Sequence, residues 1–272
     1  MLISLALTGG GEETDMAETI EIQAIVGARR VTREQVRAWE SRRANAVLNK
    51  MTARLGPRAL AELLPDRPIE TLSAAPLETR RKALTDLKTR LGHAGIYAML
   101  KRELAFSERT ARTAVAVSRG RTQHSVTRLS APGRSAERFA AWFTNLVVVD
   151  DEPPMVDSCP DHYLQRGLPD GRHEVVETTG GSPMPSRFVI DYTRTEALTI
   201  PVDPRYPIQI AGQALLDDGL TIGGVRHQFR DNEGTLEALL TVQFPAALPA
   251  RLIREHRWHL AVEFSNWLLA SV

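Results

Sequence analysis

Residues 219–245 read "GLTIGGVRHQFRDNEGTLEALLTVQFP". Two runs rich in β-branched and aromatic residues flank "RDNEG", a turn-forming segment, so the stretch predicts two strands joined by a turn. Upstream, "HEVVETT", "SRFVIDY", "ALTIPV" and "PIQIAGQALL" have the same character and are separated by Gly, Pro, Asp and Asn. Downstream, Pro249 opens a run of helical period that continues to the C-terminus. An antiparallel sheet of about six strands followed by one long helix is an α+β layer architecture. A sheet curved around such a helix leaves a cavity between them, where small ligands usually bind.

The first half reads as helical. Thr32 and Gln35 have capping-box spacing before "VRAWESRRANAVLNKMTARLG", where Val36, Trp39, Val47, Met51 and Leu55 keep a helical period up to Gly56. Pro57 suits the first turn of the next helix, "PRALAELL". "LETRRKALTDLKTRL" and "AGIYAMLKREL" follow, broken around Gly92, and "SERTARTAVAVSRG" is a weaker helix. "AERFAAWFTNLVVV" reads as a helix running into a strand. The polar, basic segment 119–134 reads as a linker, because it lacks the interleaved aromatics of a nucleic-acid site. The expected division is a leader over residues 1–30, a helical N-terminal domain over 31–130 and a helix-grip (Bet v1/START-like) domain over 135–272. The opening "MLISLALTGGG" lacks a basic n-region and reads as a flexible leader, with Met16 an alternative start.

Composition sets further bounds. The chain has 272 residues, 43% hydrophobic and 25% charged, with a formal net charge of +1, so nothing global demands nucleic acid or anionic lipid. A single cysteine, Cys159, leaves no internal disulfide and fits a cytoplasmic setting. No stretch approaches the roughly 20 apolar residues of a spanning helix. The helical half is open to a partner-docking or dimerisation role, a homodimer among them.

The terminal helix carries the chemistry. Leu252, His256, His259, Glu263 and Asn266 fall on one stripe at helical spacing, flanked by Ile253 and Val262. A buried carboxylate beside imidazoles needs a partner, either a side chain or a metal. His259 and Glu263, at i and i+4, can offer two ligands from one rigid face. Further ligands would come from the sheet, where His162, His173, Glu174 and Glu177 are candidates. On a strand Glu174 and Glu177 face opposite ways, so one is inside and the other outside, in a salt bridge with Arg166 or Arg172. His227 lies mid-strand among apolar residues, either as a core histidine or as a catalytic one.

These pieces resemble the zinc-dependent hydrolases that act on acylated phloroglucinols, the diacetylphloroglucinol and phloretin hydrolases. "AAWFTNL", "CPDHY", "VVETTGG", "RHQFRDNEGTLEALLTVQF" and "HLAVEFSNWL" are similar, in order, to that family's motifs, over roughly residues 134–272. The resemblance implies a metal site of His162, Glu177, His259 and Glu263 holding Zn²⁺, with other divalent metals compatible by ligand type. It implies His227 as acid or oxygen-polarising donor, and a substrate pocket that includes Trp142, Tyr163, Tyr192, His256 and Asn266. The reaction implied is hydrolytic C–C cleavage of an acylated phenolic or β-diketone-like molecule. The chain departs from the family where substrate would be gripped: Thr144, Asn145 and Leu146 follow Phe143, "TVQFP" replaces an aromatic strand, and the segment between His162 and Glu177 is short. These departures keep open a cyclase, aldolase or lyase reaction on the same fold, and a non-catalytic binding protein.

Overall fold

The computed structural model of the protein describes residues 21–67 and 69–271. Strands β1 (Gln23–Val26) and β2 (Arg29–Val31) form a hairpin that leads into helix α1 (Arg33–Leu63). The capping box is formed: Thr32 Oγ1 accepts from the Gln35 backbone N–H, and the Gln35 side chain accepts from the Thr32 N–H. Gly56, at φ 76°, breaks the helical path before Pro57. The short α2 (Ile69–Leu72) and the long α3 (Leu77–Ser118) follow, with Gly92 breaking α3 at φ 65°. The chain continues through β3 (Thr122–Pro132), α4 (Ala136–Val149), α5 (Glu152–Asp157), β4 (His162–Gly167), β5 (His173–Glu177) and β6 (Ser186–Asp191). It closes with β7 (Ile208–Leu215), β8 (Thr221–Asn232), β9 (Thr235–Pro245) and α6 (Ala250–Ala270).

All described strands belong to one antiparallel nine-stranded sheet, in the order β2-β1-β3-β9-β8-β7-β6-β5-β4. The β8–β9 hairpin turns at Glu233 and Gly234, both with positive φ, the signature of a tight primed turn. Helices α4 and α6 pack on one face of the sheet, where Phe139, Phe143, Phe229, Leu240, Leu260 and Phe264 share a core. On the opposite face of β4 and β5, Leu164 and Val176 pack with Leu48, Met51, Leu84 and Leu87 of α1 and α3. The first turns of α1 also reach α6: Val36 and Trp39 join its core, and Trp39 Nε1 donates to Glu255 at 2.9 Å.

This arrangement corrects the expected fold. An α+β composition holds, but a helix-grip domain of about six strands beside a separate helical domain does not. Residues 23–31, expected as the end of the leader and the first residue of the helical domain, and 122–132, expected as linker, supply three strands to the same sheet. The segment 122–132 hid its strand character because, apart from Leu129, its inward residues Ser125, Thr127 and Ala131 are small or polar. Ser125 and Thr127 face α6 directly: Ser125 Oγ lies 3.1 Å from His256 Nδ1, and Thr127 Oγ1 donates to the Arg257 carbonyl at 2.8 Å. A helix pressed that close excludes the large side chains that mark a strand in sequence. Residues 136–149 are helical throughout, β4 is an unexpected strand, and "ALTIPV" forms none. Residues 1–20, the rest of the expected leader, lie outside the described residues. No helix among the described residues is long and apolar enough to cross a membrane.

Candidate metal centre

Strand β5 alternates strictly. His173, Val175 and Glu177 face the cavity, whereas Glu174 and Val176 face α1 and α3. Strand β4 carries a bulge between His162 and Leu164, which lets His162 point to the cavity side while both Tyr163 and Leu164 enter the helical core. After Glu177 the chain turns through Thr179–Gly181 directly against α6. A Cβ at Gly180, which has φ 55°, would lie 2.4 Å from the Leu252 carbonyl oxygen, so only glycine lets this turn bring Glu177 up to the helix. From α6, His259 and Glu263 project toward the same point.

The four groups converge. His162 Nε2 lies 3.1 Å from His259 Nε2, 3.2 Å from Glu263 Oε2 and 3.6 Å from Glu177 Oε2. His259 Nε2 lies 3.5 Å from the same oxygen of each glutamate. An ion bound tetrahedrally at 2.0–2.1 Å has donor–donor edges of about 3.3 Å, and these separations straddle that value. The other ring nitrogens are engaged. His162 Nδ1 donates to the Met155 carbonyl at 2.9 Å, which leaves its Nε2 with a lone pair aimed at the centre.

A second donor set shares the two histidines. Cys159, His162 and His259 are buried, have donor atoms within 4.8 Å of one another and could hold a metal ion. Cys159 Sγ, however, sits on the Nδ1 side of His259, at 3.8 Å, across the ring from the carboxylates. Burial pushes its thiol up to about 11, so it is a neutral partner of the imidazole rather than a thiolate. The His162, His259, Glu177 and Glu263 groups offer one nitrogen from each ring and two carboxylate oxygens on the other side of His259.

The charges respond to their burial. For Glu263, burial favours the neutral acid, but His259 and His162 outweigh it and hold the carboxyl below its usual range. For Glu177, burial dominates and raises it, with the same histidines opposing. For His259, burial opposes protonation, while Cys159, Glu177 and Glu263 together hold it above the usual range. Among the described residues no Lys or Arg pairs with either glutamate, and their counter-charge is the imidazole of His259.

The carboxylates stand between the histidines and a cavity of about 210 Å³. His227 on β8 lines it, with its ring 4.7 Å from that of Phe264 and its Nδ1 without a hydrogen-bond partner. Burial lowers its pKa to about 4, so it is neutral at physiological pH. His256 lines the cavity and stacks on His259 with centroids 5.2 Å apart. Tyr192 also lines it.

Three expected substrate contacts are placed elsewhere. Tyr163 is buried among the helices of the opposite face, because the bulge in β4 rotates it there. Trp142 packs on Phe139, outside the cavity lining. Asn266 is a structural tie: it accepts from Arg33 at 2.9 Å and donates to Glu40 at 3.1 Å and to the Ser158 carbonyl at 2.8 Å.

That tie reveals residues the sequence did not flag. The loop 158–161 before His162 is clamped by the helical half. Arg43 of α1 grips Asp161 through both carboxylate oxygens, at 2.7 and 2.9 Å, and Lys88 of α3 donates to the Pro160 carbonyl at 2.8 Å. Asp161 and Lys88 are almost completely buried, so these are interior braces. The only sequence signal was a lysine on the apolar stripe of a helix, between Leu84, Leu87 and Leu91. In comparisons with known proteins, no family model matches the chain and no curated protein matches it.

Proposed function

We propose that the protein is a metal-dependent hydrolase that cleaves a C–C bond in an acylated phenolic or β-diketone-like small molecule, with zinc held by His162, Glu177, His259 and Glu263. The observation that carries this reading is the convergence of two imidazole nitrogens, 3.1 Å apart, with two carboxylate oxygens 3.2–3.6 Å from them, the carboxylates lining a cavity. Nitrogen and oxygen donors in this number suit Zn²⁺. Zinc bound there would supply Lewis acidity toward a carbonyl oxygen or a water.

The residues of the chain do the rest. Phe143, Phe188, Phe264 and Trp267 line an apolar enclosure that accepts an aromatic ring and limits water. Water adds to the acyl carbon. The bond from that carbon to the ring then breaks with its electron pair going to the ring, and a proton is delivered to the ring carbon. The products are a carboxylic acid and the deacylated phenol. A neutral His227 with a free ring nitrogen acts by hydrogen bonding to the oxygen on which charge develops.

Elemental analysis of untagged protein, followed by product analysis on a panel of acylphloroglucinols and β-diketones, tests the proposal. One equivalent of zinc and release of a carboxylic acid are expected. Metal-free protein with an intact fold would overturn the metal site, and a metal-loaded protein yielding a cyclised or cleaved product without carboxylic acid would overturn the hydrolysis.

A further inference from the structure

The cavity contains a second polar station that the metal centre does not use. His173 lies on β5 on the same strand face as Glu177 and is only 2% exposed. Its Nδ1 lies 3.1 Å from the Tyr192 hydroxyl, and the two rings stack with centroids 6.3 Å apart. Its Nε2 has no hydrogen-bond partner. Both side chains line the cavity.

Counting protons fixes the direction of this hydrogen bond. If Nδ1–H donated to the phenol oxygen, the phenol proton and the Nε2 lone pair would both be left over. If the tyrosine donates to Nδ1, only one group is left over, an Nε2–H. Buried polar groups without partners are costly, so the second arrangement is the more stable. Burial also lowers the pKa of His173 to about 3, so the ring carries one proton at neutral pH. Tyr192 thereby sets the tautomer and leaves one unpartnered, buried N–H on a ring that lines the cavity.

The remaining lining indicates what that N–H meets. Among the described residues that line the cavity there is no Lys, Arg or Asp, and the only carboxylates are Glu177 and Glu263. A phosphate or carboxylate on the ligand would be desolvated here without a counter-charge away from the metal centre, at high cost. A neutral oxygen acceptor has no such penalty.

We propose that His173, held by Tyr192, donates its Nε2–H to a neutral carbonyl or phenol oxygen of an uncharged small molecule, and so orients that molecule relative to the His162–His259–Glu177–Glu263 centre. The identity of the ligand as an acylated phenol rests on the hydrolase reading; the tautomer and the acceptor preference do not.

The test has two arms on the full chain. Nitrogen NMR of the imidazoles should show His173 as the Nε2–H tautomer, and Tyr192→Phe should shift it toward a mixture. Binding of monoacetylphloroglucinol, followed by quenching of tryptophan fluorescence, should weaken about tenfold in His173→Phe, the scale of one neutral hydrogen bond. His173→Gln, which keeps a donor, should recover most of the loss, and ethylbenzene, which has no acceptor, should bind all variants alike. An Nδ1–H tautomer in the wild type, or equal probe affinity in wild type and His173→Phe, overturns the station. Should His173→Phe fail to fold, the Tyr192→Phe tautomer shift decides. A wild type that shows the Nε2–H tautomer but does not bind the probe removes the acylphenol identity and leaves the acceptor station in place.

Discussion

Glu174 and Glu177 lie on one short strand and are both buried, yet their surroundings are opposite. Glu174, on the helical side, accepts from Arg166 at 2.7 Å and from Arg187 at 2.6 Å. These guanidinium partners, with Tyr97, outweigh its burial and hold its carboxyl below the usual range. Glu177, on the cavity side, meets two imidazoles and no guanidinium. Its burial dominates, and its carboxyl is raised. One carboxylate is thus neutralised by side chains that are always charged. The other faces imidazoles, of which His259 is held above its usual range by the surrounding acidic groups. The difference separates a structural ion pair from a site whose counter-charge is a proton on His259, a place that a divalent cation would take over.

The largest effect should come from breaking the cavity side. Glu177→Gln removes one anionic ligand and should reduce metal occupancy, measured by elemental analysis, and turnover by more than about a hundredfold, beyond the range seen when only a supporting partner of a ligand is lost. Retention of full metal content would remove Glu177 from the ligand set and erase the contrast. His227→Gln should lower kcat by about 10²–10⁴-fold with metal content and Tm near wild type. Unchanged turnover would make His227 a core residue.

Glu174→Gln should do the reverse. Metal content should be unchanged, while denaturant unfolding should show a loss of about 1–3 kcal/mol. That is below the 3–5 kcal/mol of a fully buried pair, because Arg166 and Arg187 are about a third exposed and water screens them. Loss of metal without loss of stability would erase the contrast between the two glutamates.

The buried neutral histidines give a smaller, pH-dependent effect. His173 and His227 have folded pKa values of about 3 and about 4, below the usual 6.5. As pH falls below 6.5 the unfolded chain takes up protons that the folded chain does not, so stability declines until the folded pKa is reached. Each residue contributes a slope of about 1.4 kcal/mol per pH unit in that window. Stability curves of wild type and His227→Gln between neutral and acidic pH should differ by one such slope, and parallel curves would show that His227 is protonated in the folded protein. The smallest effect is expected for Cys159→Ala: metal content should persist, because the thiol lies behind His259. Its loss, or a thiolate charge-transfer band in cobalt-substituted protein, would make Cys159 a ligand.

Several features were legible in the sequence because they depend on neighbours a few residues away. Helical spacing placed His259 and Glu263 together, and strand alternation separated Glu177 from Glu174. The Thr32–Gln35 cap and the breaks at Gly56 and Gly92 followed from local backbone preferences. What the sequence could not show depends on partners far along the chain. Segment 122–132 became a strand through pairing with β9, and the inward Ser125 and Thr127 made sense only once α6 lay against them. Tyr163 left the cavity because of a bulge defined by pairing with β5. His173 gained its significance only when Tyr192, directly after the end of β6, met its ring. Local periodicity fixes which face a side chain occupies. Only the tertiary structure decides what stands opposite it, because strand register and helix docking are set by the summed burial of many distant residues rather than by any one motif.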